Sequence, residues 1–134
     1  MLDYLAFRFP ALARLMSRPQ FWWFAVAVWF SVLFAASAQA GVLPPMFFTW
    51  QDKVEHATYF CAGGLCFYFA LRLMFPKMPV ARAMLLTSAF CSIMGMTDEF
   101  HQSFVPGRSG NDLGDWIADT VGGIIAALIG RKIK

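Results

Sequence analysis

Charged residues are scarce in this chain, where Asp, Glu, Lys and Arg together make up only 14% of the sequence. Soluble domains contain about 25% charged and about 45–50% hydrophobic residues. The hydrophobic share here is 59%. The composition therefore excludes an ordinary soluble domain and predicts an integral membrane protein, and a length of 134 residues allows one domain.

Signals of several other functions are missing as well. The three cysteines, Cys61, Cys66 and Cys91, lie in apolar runs without CxxC spacing, which favours packing over disulfide formation or metal binding. No HExxH or similar ligand spacing occurs, so the cofactor is unknown from the sequence and a divalent metal is left open. No basic cluster is interleaved with exposed aromatic residues, so no nucleic-acid partner is predicted.

Long apolar segments predict the fold. Four of them suit transmembrane helices, at about 21–38, 52–75, 80–100 and 112–130. Residues 1–19 mix apolar side chains with arginines, which is typical of a short segment in the headgroup region. The predicted architecture is all-α, a four-helix transmembrane bundle that forms a single domain over 1–134 and follows an interfacial N-terminal segment.

The first helix has an alternative interpretation. A basic start, an apolar run and the sequence from Ser37 to Ala40 (SAQA) are also typical of a signal peptide with its cleavage site. Because the basic start is long and the apolar run is rich in Trp and Phe, we favour a retained helix.

The eleven Lys and Arg residues predict the orientation of the bundle. Three precede the first helix, three surround the second turn and three follow the last helix, whereas the other two loops offer only Lys53 and Arg108. Because loops rich in Lys and Arg stay in the cytoplasm, both termini are predicted to be cytoplasmic. Seven of the eight acidic residues and both histidines then belong to the extracytoplasmic face.

The stretch from Thr97 to Gly123 contains most of the polar chemistry. It holds five carboxylates, Asp98, Glu99, Asp112, Asp115 and Asp119, between two strongly apolar segments. Ionisable groups within membrane segments are costly and mark functional sites by default. We therefore expect this stretch to meet the start of the second helix, with Asp52, Lys53, Glu55 and His56, in one polar site.

Helical spacing groups these residues into stripes. Asp98, His101 and Gln102 recur at intervals of three and four, as do the acidic residues of the last helix. Asp119 lies about 10 Å further along its helix than Asp112, below the rim of the bundle. The helix dipoles favour a neutral His56 and a charged His101, so one base and one acid is a possible pairing.

A purely structural interpretation competes with the functional one. Asp52 and Glu55 resemble a capping box, and for Asp112 helix capping is the favoured explanation. Asp98 has no such explanation, because it lies in the last turn of a helix, where the dipole disfavours negative charge. Glycines within helices, among them Gly95 and Gly122, predict close helix contact.

Arg108 lies in the sequence PGRSG, a loop flexible enough to return over the site. With Lys53 and two helix N-termini it forms a corner suited to an anion such as phosphate. The same groups are also what a network of buried ion pairs without any ligand would contain.

Three motifs in order resemble the VanZ-like family of small polytopic membrane proteins. They are DKVEHATYF (Asp52, Lys53, His56), DEFHQSFVPGR (Asp98, Glu99, Gln102, Arg108) and DWIADTVGG (Asp115, Asp119, Gly122). The resemblance implies a multi-pass protein of the bacterial cytoplasmic (inner) membrane with a connection to the cell envelope and to glycopeptide antibiotic resistance. It does not imply a specific reaction.

Our leading hypothesis is that the protein binds an anionic envelope lipid or its phosphate headgroup. An extension of this hypothesis is that the protein also processes the bound lipid chemically. Candidate catalytic residues are His56, Asp98, Glu99, Asp115 and Asp119, and candidate substrate-binding residues are Asp52, Lys53, Gln102 and Arg108. Whether the protein is an enzyme stays open, as do a divalent metal and a homo-oligomer. The alternatives are a proton-coupled carrier of small molecules and a structural or partner-binding membrane protein.

Overall fold

A computed structural model of the protein describes residues 8–39 and 47–133. Within them the chain forms five helices: α1 (Pro10–Met16), α2 (Pro19–Ser37), α3 (Gln51–Met74), α4 (Val80–Gln102) and α5 (Leu113–Gly130). The last four are each long and apolar enough to cross a membrane. The all-α fold with four candidate spans is thus confirmed, while the orientation of the termini stays a prediction.

The helix ends differ from the predicted ones by one or two residues, and one difference concerns the site. Helix α4 continues to Gln102, because the backbone N–H of Ser103 still donates to the carbonyl of Glu99. The amide of Gln102 therefore lies one helical turn beyond Asp98 on the same helix.

The capping predictions have mixed outcomes. Asp112 is the N-cap of α5, where its side chain accepts from the backbone N–H groups of Gly114 and Asp115, as expected. The capping box at the start of α3 is wrong. The N-cap there is Trp50, which makes no side-chain capping bond, while Asp52 pairs with Lys53.

The short helix α1 has no buried residue. It is joined to α2 by the indole N–H of Trp22, which donates to the carbonyl of Met16 at 2.7 Å. Pro10 stands in the first turn of α1, where its missing N–H costs nothing. The interfacial placement of this segment stays a prediction, and its first seven residues lie outside the described part of the chain.

The apolar core lies where α2, α3 and α4 meet. Trp29, Leu33, Phe60 and Cys91 form one buried cluster. Trp29 and Tyr59 also exchange hydrogen bonds, since the Trp29 indole donates to the Tyr59 carbonyl at 3.0 Å and the Tyr59 hydroxyl donates to the Trp29 carbonyl at 2.7 Å. These paired bonds fix α2 against α3 just below the polar end of the bundle.

Helix α5 packs closely against α3 and α4. A Cβ at Gly122 would lie 2.3 Å from the carbonyl oxygen of Ala57, so only glycine permits this contact between α3 and α5. The prediction that helical glycines serve close packing is confirmed at this position. Close packing of α5 brings its acidic residues up to the polar start of α3.

Candidate functional site

The polar ends of four helices meet at one end of the bundle. Hydrogen bonds and ion pairs join the end of α2, the start of α3, the end of α4 and the start of α5. Three segments that are distant in sequence thus share one polar region, as expected from the spacing of their charged residues.

His56 and Asp119 form a polar pair between α3 and α5. Nδ1 of His56 lies 2.9 Å from Oδ1 of Asp119, whose side chain has no exposed surface. Nε2 of the same imidazole lies 3.8 Å from Oδ1 of Asp115. The imidazole therefore connects two carboxylates that are separated by one turn of α5.

Helix α4 provides the space for the Asp119 carboxylate. A Cβ at Gly95 would lie 2.6 Å from Oδ2 of Asp119, so any larger residue at this position would displace the carboxylate. Among the described residues, Oδ2 has no hydrogen-bond partner. Asp119 is thus held by His56 through one oxygen while the other faces the glycine.

Lys53 is surrounded by carboxylates. Its Nζ lies 3.0 Å from Asp52, 3.2 Å from Asp112 and 2.7 Å from Asp115. An ammonium group has three N–H donors, so these contacts use all of them. The hydrogen bond from Lys53, together with the capping N–H of Gly114, lowers the pKa of Asp112 below its ordinary value.

Asp98 is buried between two uncharged donors. Its Oδ1 accepts from the hydroxyl of Ser37, and its Oδ2 accepts from Nε2 of Gln102 at 2.7 Å. We did not predict a site role for Ser37, which is 3% exposed and is the last residue of α2. The sequence offers one signal for such a role, because Ser37 is a hydroxyl residue predicted at the same membrane face as the carboxylates.

Arg108 reaches the same region from the loop between α4 and α5. Its Nη2 donates to Oε1 of Gln102 at 2.8 Å. The turn that carries it includes Gly107, whose φ of 83° is unfavourable for other residues. No carboxylate in the described part of the chain lies within ion-pair distance of Arg108, and its buried Nε has no hydrogen-bond partner there.

Glu99 fastens the loop between α4 and α5. Its Oε2 accepts from the backbone N–H of Asp112 at 2.6 Å, and its carbonyl accepts from Asn111 at 3.3 Å. Asn111 has a φ of 64°, which Asn tolerates better than most residues. Glu99 thus sets where α5 begins, and a catalytic role for it stays a prediction.

His101 lies apart from the carboxylates. Its ring stacks on Phe34 of α2, with centroids 4.3 Å apart and planes inclined by 26°. His56 contacts Asp119 instead, so the two histidines have different partners, and their roles as a base and an acid stay a prediction.

A cavity of about 600 Å³ opens beside these residues. One wall is apolar and comes from α2 and α3, with Val32, Leu33, Ala35, Ala36 and Phe60. The other wall is polar and is formed by Asp52, Glu55, His56, Asp98, Gln102 and Arg108. Lys53, Glu99, Asp115 and Asp119 do not line the cavity and support this polar wall from behind.

Residues 7–134 match the family described as VanZ/LLP1. The chain belongs to the VanZ/LLP1 family. No curated protein and no solved structure matches it. In this VanZ/LLP1 protein all three motifs that carry the resemblance lie at the polar end of the bundle, and it is a multi-pass membrane protein whose helices contact the lipid bilayer.

The part of the VanZ/LLP1 chain that the structure describes contains no group of three or more His, Cys, Asp or Glu side chains arranged to hold a metal ion. The carboxylates of Asp52, Asp112 and Asp115 each lie within ion-pair distance of a cation of the protein itself, the ammonium group of Lys53.

Proposed function

We propose that this protein binds the phosphate headgroup of an anionic envelope lipid in the cavity at the extracytoplasmic end of its helix bundle. The observation that carries the proposal is Arg108, which lines the cavity without a carboxylate partner in the described chain. A guanidinium next to a membrane helix end is costly unless an anion neutralises it. A phosphate supplies that anion.

The chemistry of Arg108 suits a phosphate. A guanidinium has five N–H donors in a fixed plane that matches phosphate oxygens. Within the described residues, Nη2 of Arg108 donates to the Gln102 amide and no other side-chain bond of the guanidinium is seen, so several donors remain for a ligand. Lys53, with its three carboxylate contacts, would shape the neighbouring wall rather than bind the anion directly.

The apolar wall supports a lipid rather than a free phosphate as the ligand. Val32, Ala35 and Ala36 of α2 give the cavity an apolar lining in addition to its polar groups. A lipid chain would bury this surface, and burial of apolar area contributes about 25 cal/mol per Å². A soluble phosphate would leave it in contact with water.

Processing of the bound headgroup would rest on His56. Its Nδ1 is held by Asp119, and a carboxylate in this position fixes the tautomer and orientation of an imidazole. His56 lines the cavity, so it would act as the general base toward a hydroxyl or water beside the phosphate. Asp98, which lines the cavity, would orient the reacting groups, and Asp115 would help to position His56.

The binding proposal is tested by lipid retention. Protein in detergent is incubated with a phosphate-bearing lipid and with diacylglycerol, and the bound lipid is counted by native mass spectrometry. Arg108→Ala is expected to weaken phosphate-lipid binding at least about tenfold, the effect of losing a charge-assisted contact. Asp98→Asn is expected to weaken it as well, because Asp98 holds the Gln102 amide that positions Arg108.

Arg82→Ala is the matched control, since Arg82 is an exposed arginine at the other end of α4. It should leave retention unchanged. Unchanged retention in both Arg108→Ala and Asp98→Asn would end the proposal.

The proton-coupled carrier has less support. One turn beyond Asp119 and Gly95, α5 and α4 meet at Gly123 and Cys91, where the cluster around Phe60 fills the bundle. A substrate would have to pass this apolar layer. Uptake of a candidate solute into proteoliposomes, driven by a pH gradient, would revive this alternative.

A further inference from the structure

The charges that line the cavity are of both signs and are kept apart. Arg108 has no carboxylate partner, and Glu55 and Asp98 have no cationic partner within ion-pair distance in the described chain. All three side chains line the same cavity. Asp52, the remaining carboxylate of the polar wall, is already paired with Lys53.

Gln102 explains why Asp98 and Arg108 do not neutralise each other. Its amide nitrogen donates to Asp98 at 2.7 Å, and its amide oxygen accepts from Arg108 at 2.8 Å. Gln102 is 3% exposed and is held from both sides. The amide therefore acts as a spacer that keeps a carboxylate and a guanidinium available to a ligand on the cavity side.

Glu55 extends the acidic part of the wall. The amide of Gln51 donates to Oε1 of Glu55 at 2.9 Å, which orients the carboxylate without neutralising it. A ligand with only a phosphate would place negative charge in the cavity that Glu55 and Asp98 line, and like charges repel each other. A ligand that also carries a cation removes this conflict.

We propose that the ligand of this cavity is a phosphate-bearing lipid whose headgroup also carries a primary ammonium group. The phosphate binds Arg108, and the ammonium binds Glu55 and Asp98, which line the same cavity. An ammonium offers three N–H donors and suits a site with two carboxylates. This inference rests on the proposed phosphate-lipid function and adds the cationic half of the headgroup.

The test compares lipids that differ only in the ammonium. Binding of phosphatidylethanolamine and of N-acetyl phosphatidylethanolamine, which keeps the phosphate and loses the cation, is measured by native mass spectrometry for the wild type, Glu55→Gln and Arg108→Ala. The wild type is expected to prefer the free amine at least about tenfold. Glu55→Gln is expected to remove this preference while binding of the N-acetyl lipid stays the same or improves.

The experiment distinguishes failure of the ammonium site from failure of the proposed phosphate site. If the wild type binds both lipids equally and Glu55→Gln has no effect, but Arg108→Ala abolishes binding of both, the ammonium site is overturned and the phosphate site stands. If Arg108→Ala binds both lipids like the wild type, the phosphate site falls too. Glu55 is exposed and Gln keeps its shape, so the variant is expected to fold, which circular dichroism and size-exclusion chromatography check.

Glycerophosphoethanolamine, the water-soluble headgroup without acyl chains, tests whether the cavity binds a lipid or a soluble molecule. The lipid should bind more tightly than this soluble headgroup, because only the lipid covers the apolar wall of α2. Equal affinities would assign the cavity to a water-soluble amino-phosphate and overturn the lipid part of the proposal.

Discussion

Nδ1 of His56 lies 2.9 Å from Oδ1 of Asp119, a carboxylate with no exposed surface. The two residues come from α3 and α5, which touch closely because Gly122 admits the Ala57 carbonyl. Buried carboxylates are retained when they are paired, and an unpaired one in this place would cost several kcal/mol. The pair therefore links the stability of the bundle to the geometry of its polar wall.

The first prediction concerns this pair. We expect His56→Gln and Asp119→Asn to be non-additive, because each removes one partner of the same contact. A double-mutant cycle on the free energy of unfolding, measured by denaturant titration in detergent, should give a coupling of about 0.5–3 kcal/mol. Thr97→Ala, an exposed change on α4, combined with Asp119→Asn serves as the control and should be additive. Additivity in the His56 and Asp119 cycle would contradict the pairing.

The second prediction concerns Ser37, whose hydroxyl donates to the buried Asp98. Ser37→Ala leaves an Asp98 oxygen without this donor and should lower the free energy of unfolding by about 1–3 kcal/mol. Lipid retention should fall too, since Asp98 positions Gln102 and thereby Arg108.

Ser31→Ala is the matched control on the same helix. Ser31 is exposed and its hydroxyl donates only to the carbonyl of Ala27. Its substitution should change stability by less than about 0.5 kcal/mol. Equal effects of the two changes would remove Ser37 from the site.

The third prediction concerns pH. Lys53 lowers the pKa of Asp112 below its ordinary value of 3.8. A carboxylate with a lowered folded pKa stabilises the protein above its unfolded pKa, and this stabilisation is lost as the pH falls through the folded pKa. The wild type should therefore be more stable than Asp112→Asn at about pH 6, and the difference should shrink as the pH falls below the ordinary carboxyl pKa of 3.8 and through the lowered pKa of folded Asp112.

Asn is a suitable replacement because it also caps helices, so the variant keeps the start of α5 and loses only the titrating charge. The measurement is thermal unfolding of both proteins across this pH range. A stability difference that is constant with pH would show that the ion pair with Lys53 does not contribute.

Much of the fold follows from local patterns. Four long apolar segments predict four spanning helices because a bilayer core requires about twenty apolar residues per helix. Asp112 was recognised as a cap, since a carboxylate just before a helix satisfies its free N–H groups. Asp52 has the same local signal, but α3 begins at Gln51 with Trp50 as its N-cap, so Asp52 lies inside the first turn, where it pairs with Lys53.

In the candidate site, too, local patterns predict some features while tertiary packing decides others. Helical spacing predicts the polar stripes of α4 and α5, and their acidic residues meet the start of α3 at one end of the bundle. The contacts of Ser37 and His101 do not follow from spacing, because each depends on the rotation of α2 and α4 about their axes. Phe34 takes up the His101 ring by stacking, and nothing in the local sequence specifies this contact.

The order of residues alone was enough to establish a membrane protein with four apolar spans and acidic motifs at their ends, because composition and periodicity are local properties that the bilayer selects directly. Partners within the polar end were decided by packing in three dimensions. Glycine contacts bring α5 against α3 and α4. In the resulting structure Asp119 contacts His56 and three carboxylates surround Lys53. The Gln102 amide lies between Asp98 and Arg108. Which charged groups of the described chain keep no partner on the cavity side depends on the free-energy balance of many competing contacts. That balance is set only once the helices have packed.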